Sequence, residues 1–455
     1  MKKVLVANRG EIAIRIIKAC KELGIETVAV YSEADKESLH IMLADESYKI
    51  GEGSPAKSYL NMDNIIEVAK LTKCDAIHPG YGFLSESIKF RQLCEDEHLN
   101  FIGPSIENLI CMGDKLQAKS IAKEAKVPVV FGCDTSIENV EELKSILKDM
   151  EFPIIMKASS GGGGKGIKVC CSLEEAVEKF SIIKKEAEIS FGDDGVYLEQ
   201  YIPRFKHIEV QILGDKHGNY VHLGERLCSI QRNMQKIIEE SPAPFLDENL
   251  RSDICEAAVR LARKVGYVGV GTVEFIYDYQ NQKYYFMEMN TRIQVEHPVT
   301  EMVFGFDLVK EQIKVADGEK LKVTQSDLNT SGHAIECRIN AENADLGFRP
   351  CVGKISLFIP PTGSPDIRVD TFIYSGYKIP PYYDSMLGKI IAHGHDREEA
   401  IKKMEVALKS TVIQGVETTL PFLEKILRDD VYRNGDYDNT YVARMLHMGE
   451  YGLSM

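Results

Sequence analysis

The stretch Phe152–Cys170, FPIIMKASSGGGGKGIKVC, places four consecutive glycines between two strand-like apolar segments. This pattern predicts two antiparallel strands joined by a glycine loop. Glycines let backbone N–H groups close over phosphate oxygens without Cβ clashes, and Lys157 and Lys165 add positive charge. We therefore expect a flap over a phosphate. The alternative is a flexible surface hairpin, because glycine-rich loops are common.

Two better-known phosphate motifs do not account for this stretch. Gly161, Gly163 and Gly166 formally match G-x-G-x-x-G, but that loop must open a helix, and here a short β-branched segment follows. A Walker A loop fails because Ser159 stands where the first glycine belongs and Gly166 where serine or threonine belongs. The flap therefore belongs to another kind of nucleotide site.

The totals limit the broad class of protein. The chain has 455 residues, which suggests about three domains. Its net charge of −14 argues against nucleic-acid and anionic-membrane partners. The 11 cysteines include no CxxC pair, as expected for reduced thiols in the cytoplasm, and no apolar run is long enough to span a bilayer. We expect a cytoplasmic protein.

Three sections with different patterns follow one another along the chain. Lys3–Ala7 and Glu26–Tyr31 read as strands around an amphipathic helix, which predicts a βαβ start and a parallel sheet without the dinucleotide fingerprint. From about Lys115 helices alternate with hairpins. After about residue 330 the chain is β-rich, then helical over Arg397–Lys409. The patterns predict a multidomain protein of mixed α/β and α+β class.

A carboxylate group is predicted on the hairpin formed by VGTVEFIYD and KYYFMEMN. The period of two places Glu288 and Asn290 on one face of the second strand and Glu274 on a face of the first. If these faces coincide, the three side chains converge as the hard oxygen ligands that Mg²⁺ or Mn²⁺ prefers. The alternative is a solvated polar face, which the surrounding apolar residues make less favourable.

The next stretch, TRIQVEHPVTE, predicts an anion pocket. If it is extended, Arg292, Gln294 and Glu296 point to one side, and His297 before Pro298 favours an extended backbone. An arginine fork, an amide donor and a carboxylate acceptor could hold and activate a small oxyanion. The alternative is a surface strand with an Arg–Glu pair, which contributes little stability.

Three further side chains are candidates on weaker grounds. Lys236 and Arg338 lie in QRNMQKIIEE and ECRINAE, and either could be a solvated basic residue. His207 begins the strand-like run HIEVQI and could contact phosphate, although the pattern alone favours an ordinary surface or core histidine.

Taken together, these segments resemble the ATP-grasp biotin carboxylases. The shared stretches lie in family order over nearly the whole chain: ANRGEIAIRI, HPGYGFLSES, IGPS…MGDK, KASSGGGGKG, HIEVQI, EMNTRIQVEHPVTE, ECRINAE and PPYYDSMLGKI. The resemblance implies an N-terminal Rossmann-like (pre-ATP-grasp) domain over 1–114 and an ATP-grasp domain over 115–330, with a mobile lid at about 131–203. A C-terminal β-rich biotin carboxylase domain would cover 331–455.

The resemblance also implies roles for individual residues, each still an expectation. The nucleotide would be bound by Lys115, Lys157, Gly163, Gly164, Glu199, Gln200, Ile202, His207, Gln231 and Met234. Glu274 and Glu288 would hold two divalent metals, with Asn290 beside them. Bicarbonate would lie against Lys236, Arg292, Gln294 and the backbone of Val295. Glu296 would be the base that activates bicarbonate, and Arg338 would stabilise the biotin enolate.

The implied reaction is ATP-dependent carboxylation of biotin by bicarbonate through carboxyphosphate, as the first half-reaction of acetyl-CoA carboxylase. The cofactors would be ATP, Mg²⁺ or Mn²⁺, and biotin as a carrier-bound substrate. The partners would be a biotin carboxyl carrier protein, carboxyltransferase subunits and a second copy of the chain. The alternatives are the same subunit of a split pyruvate or acyl-CoA carboxylase, another ATP-grasp ligase, and a non-catalytic nucleotide-binding subunit.

Three positions depart from the family pattern. Lys165 replaces an arginine of the lid, Gln200 replaces a lysine beside the adenine, and Met234 replaces a histidine near the ribose. Lysine keeps the charge at 165 but loses the planar fork. These departures bear on nucleotide affinity rather than on the reaction.

Overall fold

The computed structural model describes residues 1–159 and 166–446 of the chain. It begins with a five-stranded parallel sheet in the order β3-β2-β1-β4-β5. The strands are β1 (Lys3–Val6), β2 (Glu26–Ser32), β3 (Glu46–Gly51), β4 (Ala76–His78) and β5 (Asn100–Phe101). The helices are α1 (Gly10–Glu22), α2 (Leu39–Leu43), α3 (Met62–Leu71), α4 (Ile88–Asp96) and α5 (Ile106–Gly113). The predicted βαβ start is therefore confirmed.

The glycine loop connects two strands of a small antiparallel sheet in the order β7-β6-β8. The elements of this section are α6 (Lys115–Glu124), α7 (Val140–Ile146), β6 (Ile154–Ala158), β7 (Ile167–Cys170), α8 (Leu173–Phe191) and β8 (Val196–Gln200). The hairpin of β6 and β7 confirms the predicted strands. Gly163, Gly164 and Lys165 lie outside the described residues. A separate hydrophobic cluster, which includes Ile137, Met156, Phe180 and Leu198, packs between this sheet and its helices.

An eight-stranded antiparallel sheet in the order β13-β12-β9-β10-β11-β14-β19-β18 carries most of the predicted site residues. Five strands come before residue 330: β9 (Lys206–Gly214), β10 (Tyr220–Arg232), β11 (Gln235–Ser241), β12 (Gly269–Asp278) and β13 (Lys283–Asn290). Three come after it: β14 (His333–Asn340), β18 (Ile367–Thr371) and β19 (Met386–Gly394). Pairing of β11 with β14 joins the two groups into one sheet.

Helices and short strands complete the structure around this sheet. The remaining helices are α9 (Glu248–Lys264), α10 (His297–Phe304), α11 (Leu308–Ala316), α12 (Arg397–Ser410), α13 (Leu420–Arg428), α14 (Asp430–Arg433) and α15 (Tyr441–Met445). The short strands are β15 (Glu342–Asn343), β16 (Arg349–Pro350), β17 (Leu357–Ile359) and β20 (Val412–Gln414). Within the described ranges, no helix combines the length and the apolar composition that a membrane crossing requires.

Candidate active site

Two carboxylates face each other across the hairpin of β12 and β13. Glu274 is directly opposite Glu288 in the ladder, and Thr272 is opposite Asn290. Burial and the Glu274 charge raise the pKa of the Glu288 carboxyl, although the Lys115 ammonium opposes this shift. The predicted coincidence of the two strand faces is therefore confirmed, and it places acidic groups where a cation would relieve their repulsion.

Several polar side chains form hydrogen bonds or close contacts with the Glu274 carboxylate. Gln294 and Asn290 both donate amide hydrogens to its Oε1 over 2.8 Å. His207 Nε2 lies 3.0 Å from Oε2, while His207 Nδ1 lies 2.8 Å from the Gln231 amide nitrogen. Burial alone would raise the pKa of the Glu274 carboxyl, but Lys236 and the other partners lower it well below its ordinary value. Asn290 thus presents its nitrogen to Glu274, and not the oxygen expected of a metal ligand.

Strand β9 supplies a charged residue that the sequence analysis did not single out. Glu209 is fully buried and accepts a 2.5 Å hydrogen bond from Arg226 Nε, whose side chain is also fully buried. Arg226 donates further to Gln211, Thr300, Thr272 and Gln294. Since period two from His207 leads to Glu209 and Gln211, the alternation in HIEVQI contained this signal. Arg226 therefore provides a fully buried positive charge that is hydrogen-bonded to several side chains of the site.

Lys236 lies among three carboxylates and is not a solvated lysine. Its Nζ is 3.1 Å from Glu274 Oε1 and 2.6 Å from Glu296 Oε1, and it also contacts Glu209 Oε2. The pairing register shifts between Gln231–Lys236 and Ile230–Ile238, so β11 carries one extra residue at this point. Such a bulge changes which side chains share a face, and it explains why Lys236 and Glu239 both point into the site.

Glu296 lies between Lys236 and Arg338. Arg338 Nη2 donates to Glu296 Oε2 over 2.7 Å, and Arg338 Nε donates to Glu239 Oε1 over 2.6 Å. Burial would raise the pKa of the Glu296 carboxyl, but Lys236 and Arg338 outweigh it and lower the pKa well below its ordinary value. Burial also raises the pKa of Glu239 to about 7, with Arg338 opposing the shift. Arg338 is therefore held by two acidic side chains inside the site.

The expected extended conformation of Arg292–Glu296 is wrong. Residues 291–296 belong to no strand, and α10 begins at His297 with Glu296 as its N-cap, at φ −82° and ψ 8°. Proline is compatible with the first helical turn, where its missing N–H has no acceptor within the helix, so Pro298 does not keep His297 extended. We call Arg292–Glu296 the active-site turn. Its side chains reach the site from a bend rather than by strand alternation.

Arg292 is fixed by a residue from the N-terminal sheet region. Glu86 Oε2 accepts a 2.9 Å hydrogen bond from Arg292 Nε, and Glu86 Oε1 accepts from the Thr291 backbone. Arg292 Nη2 also donates to Asn290 Oδ1 over 3.0 Å. Glu86 lies within HPGYGFLSES, but no local pattern indicated this contact, because its partner is 206 residues away.

The residues predicted to bind the nucleotide lie on several elements, including β8 and the start of α6. Glu199 on β8 accepts from Lys157 Nζ over 2.6 Å and lies 3.1 Å from Lys119 Nζ, a lysine that the sequence analysis missed. Burial lowers the pKa of Lys115, which faces Glu288 and begins α6. Gln200 donates its amide to the carbonyls of Glu151 and Pro153.

Ile202 and Met234 have no polar side-chain role in the described structure. Ile202 follows the end of β8 and is partly buried. Met234 lies in the turn between β10 and β11, is 50% exposed and has a positive φ of 63°. Asn233 beside it also has a positive φ, as expected of a tight hairpin turn.

The donor set fits a divalent cation. Glu274 and Glu288 offer hard carboxylate oxygens of the kind that Mg²⁺ and Mn²⁺ bind, and their mutual repulsion needs a positive charge. Ligand atoms of His207, Glu209 and Glu274 also lie within 4.8 Å of one another, but Glu209 is already paired with both Arg226 and Lys236. The Glu274–Glu288 pair remains the predicted metal site, and its donor chemistry suits such a cation.

Comparison with known proteins shows the family to which this chain belongs. Residues 1–109 match the biotin carboxylase N-terminal domain, residues 114–324 the carbamoyl-phosphate synthase L chain ATP-binding domain, and residues 336–444 the biotin carboxylase C-terminal domain. The chain is 54% identical to biotin carboxylase 1 of Bacillus subtilis, over 99% of this chain and 100% of that protein.

Two other relatives belong to carboxylases of different acceptors. A pyruvate carboxylase subunit of Methanothermobacter thermautotrophicus is 49% identical over 97% of this chain and 89% of that protein. The biotin carboxylase domain dimer of Hydrogenobacter thermophilus 2-oxoglutarate carboxylase was solved with MgADP, ADP and bicarbonate. It has a TM-score of 0.94 and 46% identity, covering 100% of this chain and 99% of that one. The chain belongs to the biotin carboxylase family, and it is an ATP-dependent ligase of that family.

Proposed function

We propose that this chain carboxylates carrier-bound biotin with Mg-ATP and bicarbonate as the first half-reaction of an acetyl-CoA carboxylase. The observation that carries the biotin carboxylase chemistry is the position of Glu296 between Lys236 and Arg338, beside the opposed carboxylates Glu274 and Glu288. A carboxylate, two cations and a candidate metal site beside one another are the groups that a phosphoryl transfer to a small oxyanion requires.

Bicarbonate binding would use the cations that now surround Glu296. Lys236 and Arg292, with the Gln294 amide and the Val295 backbone, would hold the anion beside the terminal phosphoryl group of ATP. Bicarbonate would compete for Lys236, which currently contacts three carboxylates. As Lys236 turns toward the new anion, Glu296 becomes a stronger proton acceptor, since a nearby cation lowers the basicity of a carboxylate. Attack on ATP would give carboxyphosphate and ADP.

Nucleotide binding would draw on the lysines around Glu199. Lys115 and Lys157 would move to the phosphates, and Glu199 with Ile202 would line the adenine at the base of the flap. His207, Gln231, Gln200 and Met234 would lie near the remainder of the nucleotide. A divalent metal held by Glu274 and Glu288, with Asn290 adjacent, would neutralise the negative charge of the phosphate oxygens.

The second stage would depend on Arg338. Carboxyphosphate would decompose to CO₂ and phosphate, the phosphate would take the ureido proton of biotin, and Arg338 would stabilise the resulting enolate until it captures CO₂. Arg338 has the planar fork that such an oxyanion requires, and Glu239 and Glu296 already orient it. Water must be excluded at this stage, because carboxyphosphate would otherwise hydrolyse.

We further propose the domain limits 1–114, 115–330 and 331–455, with a lid over about 131–203. The separate hydrophobic cluster of residues 137–198 supports a lid that moves as one body. A carrier protein and carboxyltransferase subunits would be the partners, and the dimeric state of the 2-oxoglutarate carboxylase relative supports a homodimer. The proposed location is the cytoplasm.

The final acceptor is tested by reconstitution. The chain would be combined with its biotinylated carrier and carboxyltransferase, and incorporation of labelled bicarbonate would be compared for acetyl-CoA, propionyl-CoA, pyruvate and 2-oxoglutarate. The acetyl-CoA proposal rests on the family resemblance of the sequence motifs, and the chain is more similar to the Bacillus subtilis biotin carboxylase than to the pyruvate carboxylase relative. The pyruvate and 2-oxoglutarate carboxylase relatives make those two acids the alternatives. Labelling of either one in place of acetyl-CoA would refute it.

A further inference from the structure

A fully buried lysine lies directly behind the active-site turn. Lys389 on β19 has no exposed surface. In the ladder it is opposite Arg338 of β14 on one side and Asp370 of β18 on the other. Its ammonium donates a hydrogen bond to the backbone carbonyl of Val295, the residue before Glu296. This lysine lies in PPYYDSMLGKI and is not among the site residues predicted from the sequence.

Acidic groups from distant parts of the chain keep this ammonium charged. Glu11, in the first turn of α1, places Oε1 3.2 Å from Lys389 Nζ, and Tyr81 donates a 2.5 Å hydrogen bond to the same oxygen. Glu336 and Asp370 also face the ammonium, and Arg368 opposes them. Lys389 therefore connects the N-terminal sheet region, the strands after residue 330 and the active-site turn.

The active-site turn is fixed through its backbone at two successive carbonyls. Lys389 binds the carbonyl of Val295, and the His297 ring binds the carbonyl of Gln294 through Nδ1 over 2.8 Å. These two contacts hold the backbone directly before Glu296, which is the N-cap of α10. The direction of the Glu296 side chain toward Lys236 and Arg338 depends on this backbone position.

We propose that Lys389 is a positioning residue that holds the active-site turn, so that Glu296 and the backbone of Val295 face bicarbonate. Lys389 touches neither substrate nor nucleotide in this account, and it acts through the peptide between Val295 and Glu296. The proposal depends on the assignment of Glu296 as the base. A displacement of about 1 Å in such a group can lower a rate about 100-fold.

The test compares two variants, Lys389→Met and the double variant Glu11→Gln/Lys389→Met. The double variant removes both members of the buried pair, which is less disruptive than leaving one charge unpaired. We expect kcat/KM for bicarbonate to fall about 100-fold in the folded variants, with KM for ATP unchanged. Tyr81→Phe removes only one hydrogen bond to Glu11, and it should give a smaller fall in the same parameter.

The control variant is Arg251→Met, which deletes a partner of buried Glu225 on the opposite face of β10 from Arg226. It should keep the wild-type kcat/KM for bicarbonate. A folded double variant with the wild-type value, or a Tyr81→Phe variant with no change, would overturn the inference. A Glu296→Gln variant distinguishes failure of the proposed function from failure of the Lys389 inference. If Glu296→Gln turns over normally, the assignment of Glu296 as the base is wrong. If it is inactive while the Lys389 variants are normal, only the present inference fails.

Discussion

Arg338 and Glu296, 42 residues apart in the chain, are joined by a 2.7 Å hydrogen bond from Nη2 to Oε2. The same guanidinium binds Glu239 through Nε. The Arg338 guanidinium therefore connects Glu296, the proposed base, with Glu239 on β11. A movement of either carboxylate would change the direction of the Arg338 side chain. This coupling makes Arg338 sensitive to conservative replacement.

Arg338→Lys keeps the charge at this position but removes the planar fork. We expect biotin-dependent ATP cleavage to fall by about 10²–10³-fold, the usual loss when a preorganised donor to a developing oxyanion is deleted. KM for ATP should not change, because the nucleotide residues lie on other strands. Steady-state kinetics with free biotin would measure both parameters. Arg428→Lys, on the exposed face of α13, is the matched control, and equal activity of the two variants would contradict the assignment.

Glu288→Gln tests the metal site. Loss of one of two opposed carboxylates should raise the Mg²⁺ concentration for half-maximal activity by at least about tenfold. Thermal stability without metal should not fall, because the change removes the unfavourable interaction with Glu274 that, together with burial, raises the pKa of this carboxyl. Activity titrated with Mg²⁺ after chelation, together with thermal unfolding, gives both readouts. Glu398→Gln on the surface of α12 should change neither of them. An unaltered Mg²⁺ requirement in Glu288→Gln would remove Glu288 from the site.

Glu240 allows a test of the stability of the fold that does not involve the proposed reacting groups. This buried carboxylate accepts from Arg397, His333 and the Tyr437 hydroxyl. Burial would raise its pKa, yet Arg397 and His333 lower it well below the ordinary value. Its stabilising effect is therefore complete above the unfolded-state pKa of about 4.3 and is lost as pH falls toward the lower folded-state value.

Glu240→Gln should accordingly lower the free energy of unfolding by about 3–5 kcal/mol at pH 7, because Arg397 keeps a buried charge without its partner. The difference from wild type should stay constant down to about pH 5 and shrink only below about pH 4. Denaturant unfolding at a series of pH values measures it. Glu97→Gln, which breaks an exposed pair with Lys70, should cost about 0–1 kcal/mol. A difference that disappears already at pH 6 would contradict this account of Glu240.

Local patterns predicted those parts of the site that lie on regular strands. The period of two placed Glu274 opposite Glu288, and the glycine stretch predicted the hairpin of β6 and β7. The same reasoning failed for Arg292–Glu296, because a helix begins at His297 where the proline pattern favoured an extended chain. It also could not anticipate the bulge in β11 that turns Lys236 toward the carboxylates.

Lys389 and Glu86, which the sequence did not reveal, share one property: their partners are distant in the chain. Lys389 meets Val295 across 94 residues, and Glu86 meets Arg292 across 206. No spacing within a strand or helix encodes such contacts, since they arise only when the sheets pack together. Glu209 is different, because the alternation of HIEVQI places it on the same face as His207, the one site residue predicted from that strand.

The central claim is that the Glu296 carboxylate activates bicarbonate between Lys236 and Arg338. It is tested most directly by ADP release from Mg-ATP with bicarbonate and free biotin, for wild type and for Glu296→Gln, an almost isosteric change that removes the base. We predict that wild-type turnover requires both bicarbonate and biotin, and that Glu296→Gln loses it by about 10²–10⁴-fold while binding ATP normally. Wild-type turnover in Glu296→Gln would contradict the account.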